Sequence, residues 1–320
     1  MINIKKILVP TDFSATAARA VNHAALLAEA FEAKLTIVNV LDAATVMRYW
    51  LPAASGEMPA GFPLAQHEVY KLAEDNALRQ LQELAGSDYA CRAPGCERVV
   101  LKGETAAETV ARYAKSNDFD LIAAGTHGRT GISEWFLGSV TERILRIAPC
   151  PVLTVGPMSQ PHPAQEVFDH ILFAFDLSDA SKHALRYACA FAGRYGARLE
   201  LLHVVEYRNF PASYSVRGSE IFRQVTDLER RILSEMENEV KETCGGALPA
   251  GVDFSVEEGK AFERIIGFAK AKAVKLIVIG NTGLGGTHGH RLGSTAENVV
   301  PRARCPVLVV NSKIHEFLAG

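Results

Sequence analysis

The chain has 320 residues, 48% of them hydrophobic and 22% charged, enough apolar material for two ordinary buried cores. Thirty-four basic residues against 36 acidic ones leave a formal net charge of −2, so no global field draws the chain to nucleic acid or to an anionic membrane. No apolar run reaches the roughly 20 residues that span a bilayer, and six cysteines in a chain this long do not make a disulfide scaffold.

The opening MINIKKILVPTDFS resembles a signal peptide only in Lys5-Lys6, and the apolar run after it is short and met at once by Asp12, so a cytoplasmic protein is expected. Ile4–Pro10 reads as a first strand ending at Asp12. Ser14 is placed to cap a helix over Ala15–Ala33, whose Ala17, Val21, Ala24, Ala25 and Ala28 form one apolar stripe. Lys34–Leu41 follows as a strand, then the Pro-, Gly- and Ala-rich stretch TVMRYWLPAASGEMPAGFPLAQ with no sustained period, then a helix over Leu64–Leu84. Cys91 and Cys96 in CRAPGC stand at a spacing suited to a metal or a local disulfide, but no second pair completes a zinc set. Glu97–Leu101, Leu121–Gly125 and Val152–Val155 read as further strands, with helices over Glu104–Lys115 and Ser139–Ile147. These strands are dense in Val, Ile and Leu rather than alternating, as in a parallel sheet covered on both faces.

The chain then repeats itself. DHILFAFDLSDASKHALRYACAFAGRYGARLELLHVVE restates the opening, with Asp176 for Asp12 and Ser178 for Ser14. Strands are expected near Ile171–Phe175, Arg198–Val205, Val252–Glu257, Leu276–Gly280 and Val307–Val310. Asp12 and Asp176 stand 164 positions apart, whereas Gly125 and Gly280, like Cys150 and Cys305, stand 155 apart, so the first half carries nine extra residues in its middle. Three prolines in GPMSQPHPAQEV mark the linker. The expected organisation is a domain over 1–157, a linker over 158–166 and a second domain over 167–313. Each is expected to be a doubly wound α/β domain, an open five-stranded parallel sheet with helices on both faces.

Within each half one loop keeps its framework while its side chains change. GTHGRTGISEWFLGS and GNTGLGGTHGHRLGS both read G-x2-G-x9-G-S, from Gly125 to Ser139 and from Gly280 to Ser294. Such a pattern suits binding by backbone amides. Gly128 lets the loop approach a ligand closely, and Gly138-Ser139 opens a helix whose free N–H groups and dipole favour phosphate. Asp12 lies just past the first strand, and if the first and fourth strands are neighbours it shares a crevice with the loop. A carboxylate facing phosphates is repulsive, so ribose hydroxyls or a metal ion suit Asp12 better. Both aspartates also fit as simple turn residues, and duplication can preserve a purely structural loop.

These motifs resemble the universal stress protein family, and both halves together are similar to its tandem members. The resemblance covers nearly the whole chain and implies the ATP-binding branch. It places Asp12 at ribose, Val40 at adenine, and Gly125, Gly128, Gly138 and Ser139 at the phosphates. In the second half it assigns the same parts to Asp176, Val204, Gly280, Gly283, Gly293 and Ser294. Pro10, Thr11, His127, Arg129, Val140, Thr141 and Thr295 flank these positions and join the candidate set. The implied cofactor is ATP with Mg2+ or Mn2+, bound and turned over slowly or not at all.

The loops differ where His127 and Arg129 face Thr282 and Leu284, while His288, His290 and Arg291 offer charge or metal ligands further along the second loop. Trp135 is a lid or a partner-facing anchor, and Cys150 and Cys305, each before a proline, are expected to be buried. Nothing resembles a general base placed for γ-phosphate hydrolysis. The expected function is an ATP-binding stress-response regulator without catalytic residues. The rival readings are a slow ATPase or other nucleotide-processing enzyme, and a scaffold indifferent to phosphate. The expected partners are an adenine nucleotide and an unidentified protein. The apolar last strands PVLTV and PVLVV are expected to join the halves as an intramolecular pseudo-dimer, with a homodimer of tandem chains also open.

Overall fold

A computed structural model describes residues 2–42, 45–46, 66–85, 95–128, 137–159, 168–206, 220–283 and 292–311. Arg129, Trp135, Cys91, Leu284, His288, His290, Arg291, most of the linker and most of the Pro-rich stretch lie outside the described residues. The chain divides into two compact units, one built on Asn3–Pro161 and one on His162–Lys313.

The first unit runs β1 (Lys6–Pro10), α1 (Ala15–Phe31), β2 (Lys34–Leu41), α2 (Gln66–Ala85), β3 (Glu97–Lys102), α3 (Ala106–Ser116), β4 (Leu121–Gly125), α4 (Ser139–Ile147) and β5 (Val152–Val155). Strand β1 starts two residues later than expected. The N–H groups of Lys5 and Lys6 donate to the Asp120 carboxylate at 2.8 and 2.9 Å, so a side chain pins the chain where the strand starts. Helix α1 begins where expected, with the Ser14 hydroxyl accepting from the Ala17 N–H. It stops at Phe31, short of Ala33, because Glu32 turns left-handed at φ 56° and its N–H closes on the Ala28 and Glu29 carbonyls.

The strands lie in the order β3-β2-β1-β4-β5, and their pairings are parallel. Right-handed crossovers therefore put α1 and α2 on one face and α3 and α4 on the other. Contacts agree: α1 lies on β1 and β4, α2 on β2 and β3, and α3 against α4. Ile7, Leu8, Ile37, Leu121, Ile122 and Leu153 are fully buried between these layers, which is why the strands are apolar on both faces. Strand order reverses between β1 and β4, and their carboxyl ends flank the opening there.

The second unit repeats this plan with β6 (His170–Ala174), α5 (Asp179–Tyr195), β7 (Arg198–Val205), α6 (Glu220–Thr243), β8 (Val252–Glu258), α7 (Ala261–Ala271), β9 (Leu276–Gly280), α8 (Ser294–Arg302) and β10 (Val307–Val310). Its strands lie in the order β10-β9-β6-β7-β8, again with parallel pairings. Ser178 caps α5 through the Ser181 N–H, and Gly196 ends it left-handed at φ 61°. Phe168, Phe173 and Phe191 fill its core where the first unit uses aliphatic side chains.

Candidate functional site

The site in the first unit begins with backbone strain. Between Asp12 and Ser14 the chain turns through Phe13 at φ 66°, a left-handed conformation costly for a bulky side chain. Local bonds hold it there. The Ser14 N–H donates to Asp12 Oδ1 at 3.0 Å, and the Phe13 N–H donates to Thr11 Oγ1 at 3.0 Å. The ring is repaid by packing against the cluster of Leu41, Val46, Val69, Ala73 and Ala77. The second unit has the same turn: Leu177 sits at φ 66°, and Asp176 Oδ1 accepts both the Ser178 N–H at 3.1 Å and its hydroxyl at 2.5 Å. Two halves with different side chains thus keep one strained turn.

Behind each aspartate stands a buried polar side chain to which the sequence reading assigned no role. Asn39 on β2 donates from Nδ2 to the Thr11 carbonyl at 2.8 Å, and His203 on β7 meets the Phe175 carbonyl through Nδ1 at 2.8 Å. Asn39 precedes Val40 and His203 precedes Val204, in strands that also bury Thr36 and Glu200 at a matching register. A polar side chain repeated at the same register, directly before the valine at each strand's end, is the signal that could have found them.

The glycines are explained by what crowds them. A Cβ on Gly125 would sit 3.0 Å from the Ala17 nitrogen and the Thr16 carbonyl carbon, so the first turn of α1 rests on the end of β4. A Cβ on Gly128 would meet Asp12 Oδ2 at 3.0 Å, and on Gly283 it would meet Asp176 Oδ2 at 2.5 Å. The loop backbone thus passes directly over the carboxylate in both units. Gly138 and Gly293 return their N–H groups to the Thr126 and Asn281 carbonyls, each at 2.7 Å. They then cap α4 and α8, and neither helix has a side-chain hydrogen bond at its N-cap. A glycine at the cap offers no side-chain acceptor to the leading amides of either helix.

In the first unit these parts enclose a cavity of about 300 Å³, at the lower end of the range for small-molecule sites. Pro10, Thr11 and Asp12 form one wall, and Val40 lies at its floor. Gly125, His127 and Gly128 come from the loop, while Gly138, Ser139, Val140 and Thr141 bring the helix N-terminus. Asp42, Ala106, Val110 and Ile144 also line it and were not anticipated from the sequence. Thr141 turns its hydroxyl to the Gly125 carbonyl at 2.6 Å, tying α4 to the end of β4. His127 is oriented through Nδ1, 2.8 Å from Thr126 Oγ1, and its buried Nε2 has no hydrogen-bond partner among the described residues. In the second unit Asp176, Val204, Gly280, Gly283, Gly293, Ser294 and Thr295 occupy the matching elements. There Ala296 replaces Thr141 and Thr282 replaces His127.

The thiols before the last strands take no part in this arrangement. Burial pushes the Cys150 thiol well above its ordinary range, and that of Cys305 up to about 12. Among the described residues no cluster of three His, Cys, Asp or Glu side chains could hold a metal ion. No helix among them is long and apolar enough to cross a membrane.

The sequence pattern of the universal stress protein family matches residues 3–156 and again 168–311. A universal stress protein of Methanocaldococcus jannaschii is 34% identical over 152 residues, covering 47% of this chain and 81% of that one. One from Mycolicibacterium smegmatis is 27% identical over 310 residues, covering 96% of this chain and 97% of its own. Among solved structures, a universal stress protein from Archaeoglobus fulgidus superposes with a TM-score of 0.65 at 20% identity, covering 96% of this chain and 98% of that one. That last likeness speaks for the fold alone. With the family pattern matched once in each unit, the chain belongs to the universal stress protein family as a tandem of two such domains.

Proposed function

We propose that the crevice at the carboxyl ends of β1 and β4 binds an adenine nucleotide, ATP, and that the matching crevice of β6 and β9 binds a second. The observation that carries this reading is the pairing of opposites across one cavity. A carboxylate, Asp12, faces a glycine backbone on one side, and a helix N-terminus without a side-chain cap lies on the other. Such a space suits a ligand with hydroxyls at one end and phosphates at the other. Asp12 and Asp176 would accept from the ribose hydroxyls, and the β-strand ends at Val40 and Val204 would border adenine. The amides opening α4 and α8, with Ser139 and Ser294, would hold phosphate. His127 would offer its unpartnered Nε2 and Arg129 a charge-assisted contact. A divalent cation, Mg2+ or Mn2+, would arrive with the phosphates, which carry the oxygen ligands such an ion prefers.

The nucleotide is held as a signal rather than consumed, and its occupancy is read by a protein partner. This assignment places the protein in the cytoplasm, where the nucleotide pool is. Calorimetry of the full chain with ATP, followed by product analysis over hours, tests both parts. Saturable binding with ATP recovered intact is expected. Absence of binding sinks the nucleotide reading, and steady release of ADP replaces the sensor with a slow ATPase.

A further inference from the structure

The second unit holds a pair of thiols that the nucleotide proposal does not use. Cys189 lies on α5, and Cys244 follows α6 by one residue. Far apart in sequence, they meet in space: the Cys244 thiol donates to Cys189 Sγ at 3.2 Å. A disulfide needs the sulfurs at about 2.05 Å, so roughly an ångström of side-chain movement separates contact from bond. The two helices are joined elsewhere too, by the ion pair of Lys182 in the first turn of α5 with Glu239 near the carboxyl end of α6. That second contact keeps the thiols from drifting apart.

The two sulfurs differ in setting. Cys189 stands among the fully buried Ala188 and Phe191, and burial together with the neighbouring thiol holds its own thiol far above the usual range. Cys244 opens onto Gly245 to Ala250, all exposed. Both thiols are half-buried, and the exposed turn that follows Cys244 is the side from which a small disulfide arrives.

We infer that Cys189 and Cys244 form a reversible dithiol–disulfide pair that exchanges with low-molecular-weight disulfides. Cys244, as thiolate, attacks one sulfur of a disulfide RSSR. A Cys244–S–S–R bond forms, the RS–SR bond breaks, and one RS− leaves. Cys189 then loses its proton and attacks Cys244 Sγ, forming the Cys189–Cys244 bond and expelling the second RS−. The two protons from the protein thiols go to the two RS− groups. Two protein thiols are thereby oxidised by two electrons, and RSSR is reduced to two RSH. The high proton affinity of Cys189 is no obstacle to this order, because the second attack is intramolecular at contact distance. Oxidation would clamp α5, the helix that Ser178 caps two residues after Asp176, to the end of α6.

The test uses the reduced full-length chain, folded by circular dichroism, exposed to bis(2-hydroxyethyl) disulfide. It is then quenched in acid, labelled with N-ethylmaleimide under denaturing conditions, and mapped by peptide mass. The expected result is one cross-linked peptide pair joining Cys189 to Cys244, two fewer labels per chain, and full reversal by dithiothreitol. In Cys189→Ser the hydroxyethyl adduct should accumulate on Cys244, since nothing displaces it. In Cys244→Ser, adduct formation on Cys189 should be at least tenfold slower. The wild-type map stands by itself if either variant misfolds. Recovery of both cysteines as separately labelled peptides, or cross-linking of either to a different cysteine, overturns the inference. So does a folded Cys189→Ser chain without the adduct.

Discussion

Replacing Asp12 by asparagine and by alanine separates its two roles. Its Oδ1 accepts the Ser14 N–H at 3.0 Å and steadies the left-handed turn at Phe13, while Oδ2 lies under Gly128 in the cavity. Asparagine keeps an oxygen for the turn but loses the charge, whereas alanine loses both. Removing the turn bond leaves a partly buried amide without its acceptor, at a cost of about 1 kcal/mol. In a unit of this size that lowers Tm by about 2–4 °C, for Asp12→Ala only. Loss of a charge-assisted bond to ribose hydroxyls costs about 1.5–3 kcal/mol, or roughly ten- to 150-fold in Kd. Asp12→Ala should show all of this loss. Asp12→Asn should show at least about 1 kcal/mol of it, roughly fivefold. Calorimetry on the full chain reads affinity, with one class of sites weakened and the other unchanged, and thermal denaturation reads the turn. A folded Asp12→Asn chain with an unaltered ATP isotherm would refute the reasoning and leave Asp12 as a turn residue alone.

Gly125→Ala should destabilise the first unit by about 1–3 kcal/mol, as overpacking does. Gly280→Ala should cost less, since its nearest obstacle is the Thr282 carbonyl oxygen at 3.2 Å rather than a helix backbone at 3.0 Å. Equal Tm losses would contradict the assignment of Gly125 to helix packing. Arg129→Ala should weaken ATP at the first site by about 0.5–2 kcal/mol, roughly two- to thirtyfold, with the effect shrinking as salt rises. A salt-independent loss would exclude a phosphate contact. His183 has its pKa lowered from 6.5 by burial first and by Arg186 second, so the unfolded chain binds this proton more readily than the folded one. Its contribution is therefore neutral above 6.5 and turns destabilising as pH falls below it. Urea titrations of His183→Gln should show a shallower acid loss than wild type, and parallel pH profiles would dismiss the residue. Oxidation of Cys189 and Cys244 should raise the Tm of the second unit, because such a cross-link stabilises by about 2–4 kcal/mol. At that unit's size the rise is about 4–16 °C. An unchanged Tm in the cross-linked protein would mean that the link strains the native state as much as it restrains the unfolded one.

Much of this protein could be read from its residues because the signals are local and written twice. Ser14 and Ser178 announce α1 and α5 since a hydroxyl at an N-cap satisfies amides only three residues away. Unbroken runs such as LIVIG announce buried parallel strands because both faces must be apolar. The spaced glycines pointed to a ligand approached by backbone, whereas what crowds them in the fold is helix α1 at Gly125 and the Asp12 carboxylate at Gly128. What residues alone could not decide is which groups meet. That Gly125 yields to α1 while Gly128 yields to Asp12 depends on β1 lying beside β4, a pairing made across more than 100 residues. Asn39 and His203 have no legible role until β2 and β7 bring them to the Thr11 and Phe175 carbonyls. Phe13 and Leu177 carry no mark in the sequence of their left-handed turns, because a costly conformation is held by surrounding bonds and packing rather than by the residue's own preference. Cys189 and Cys244 share no motif, and only the parallel placement of two helices that follow parallel strands brings their sulfurs within reach.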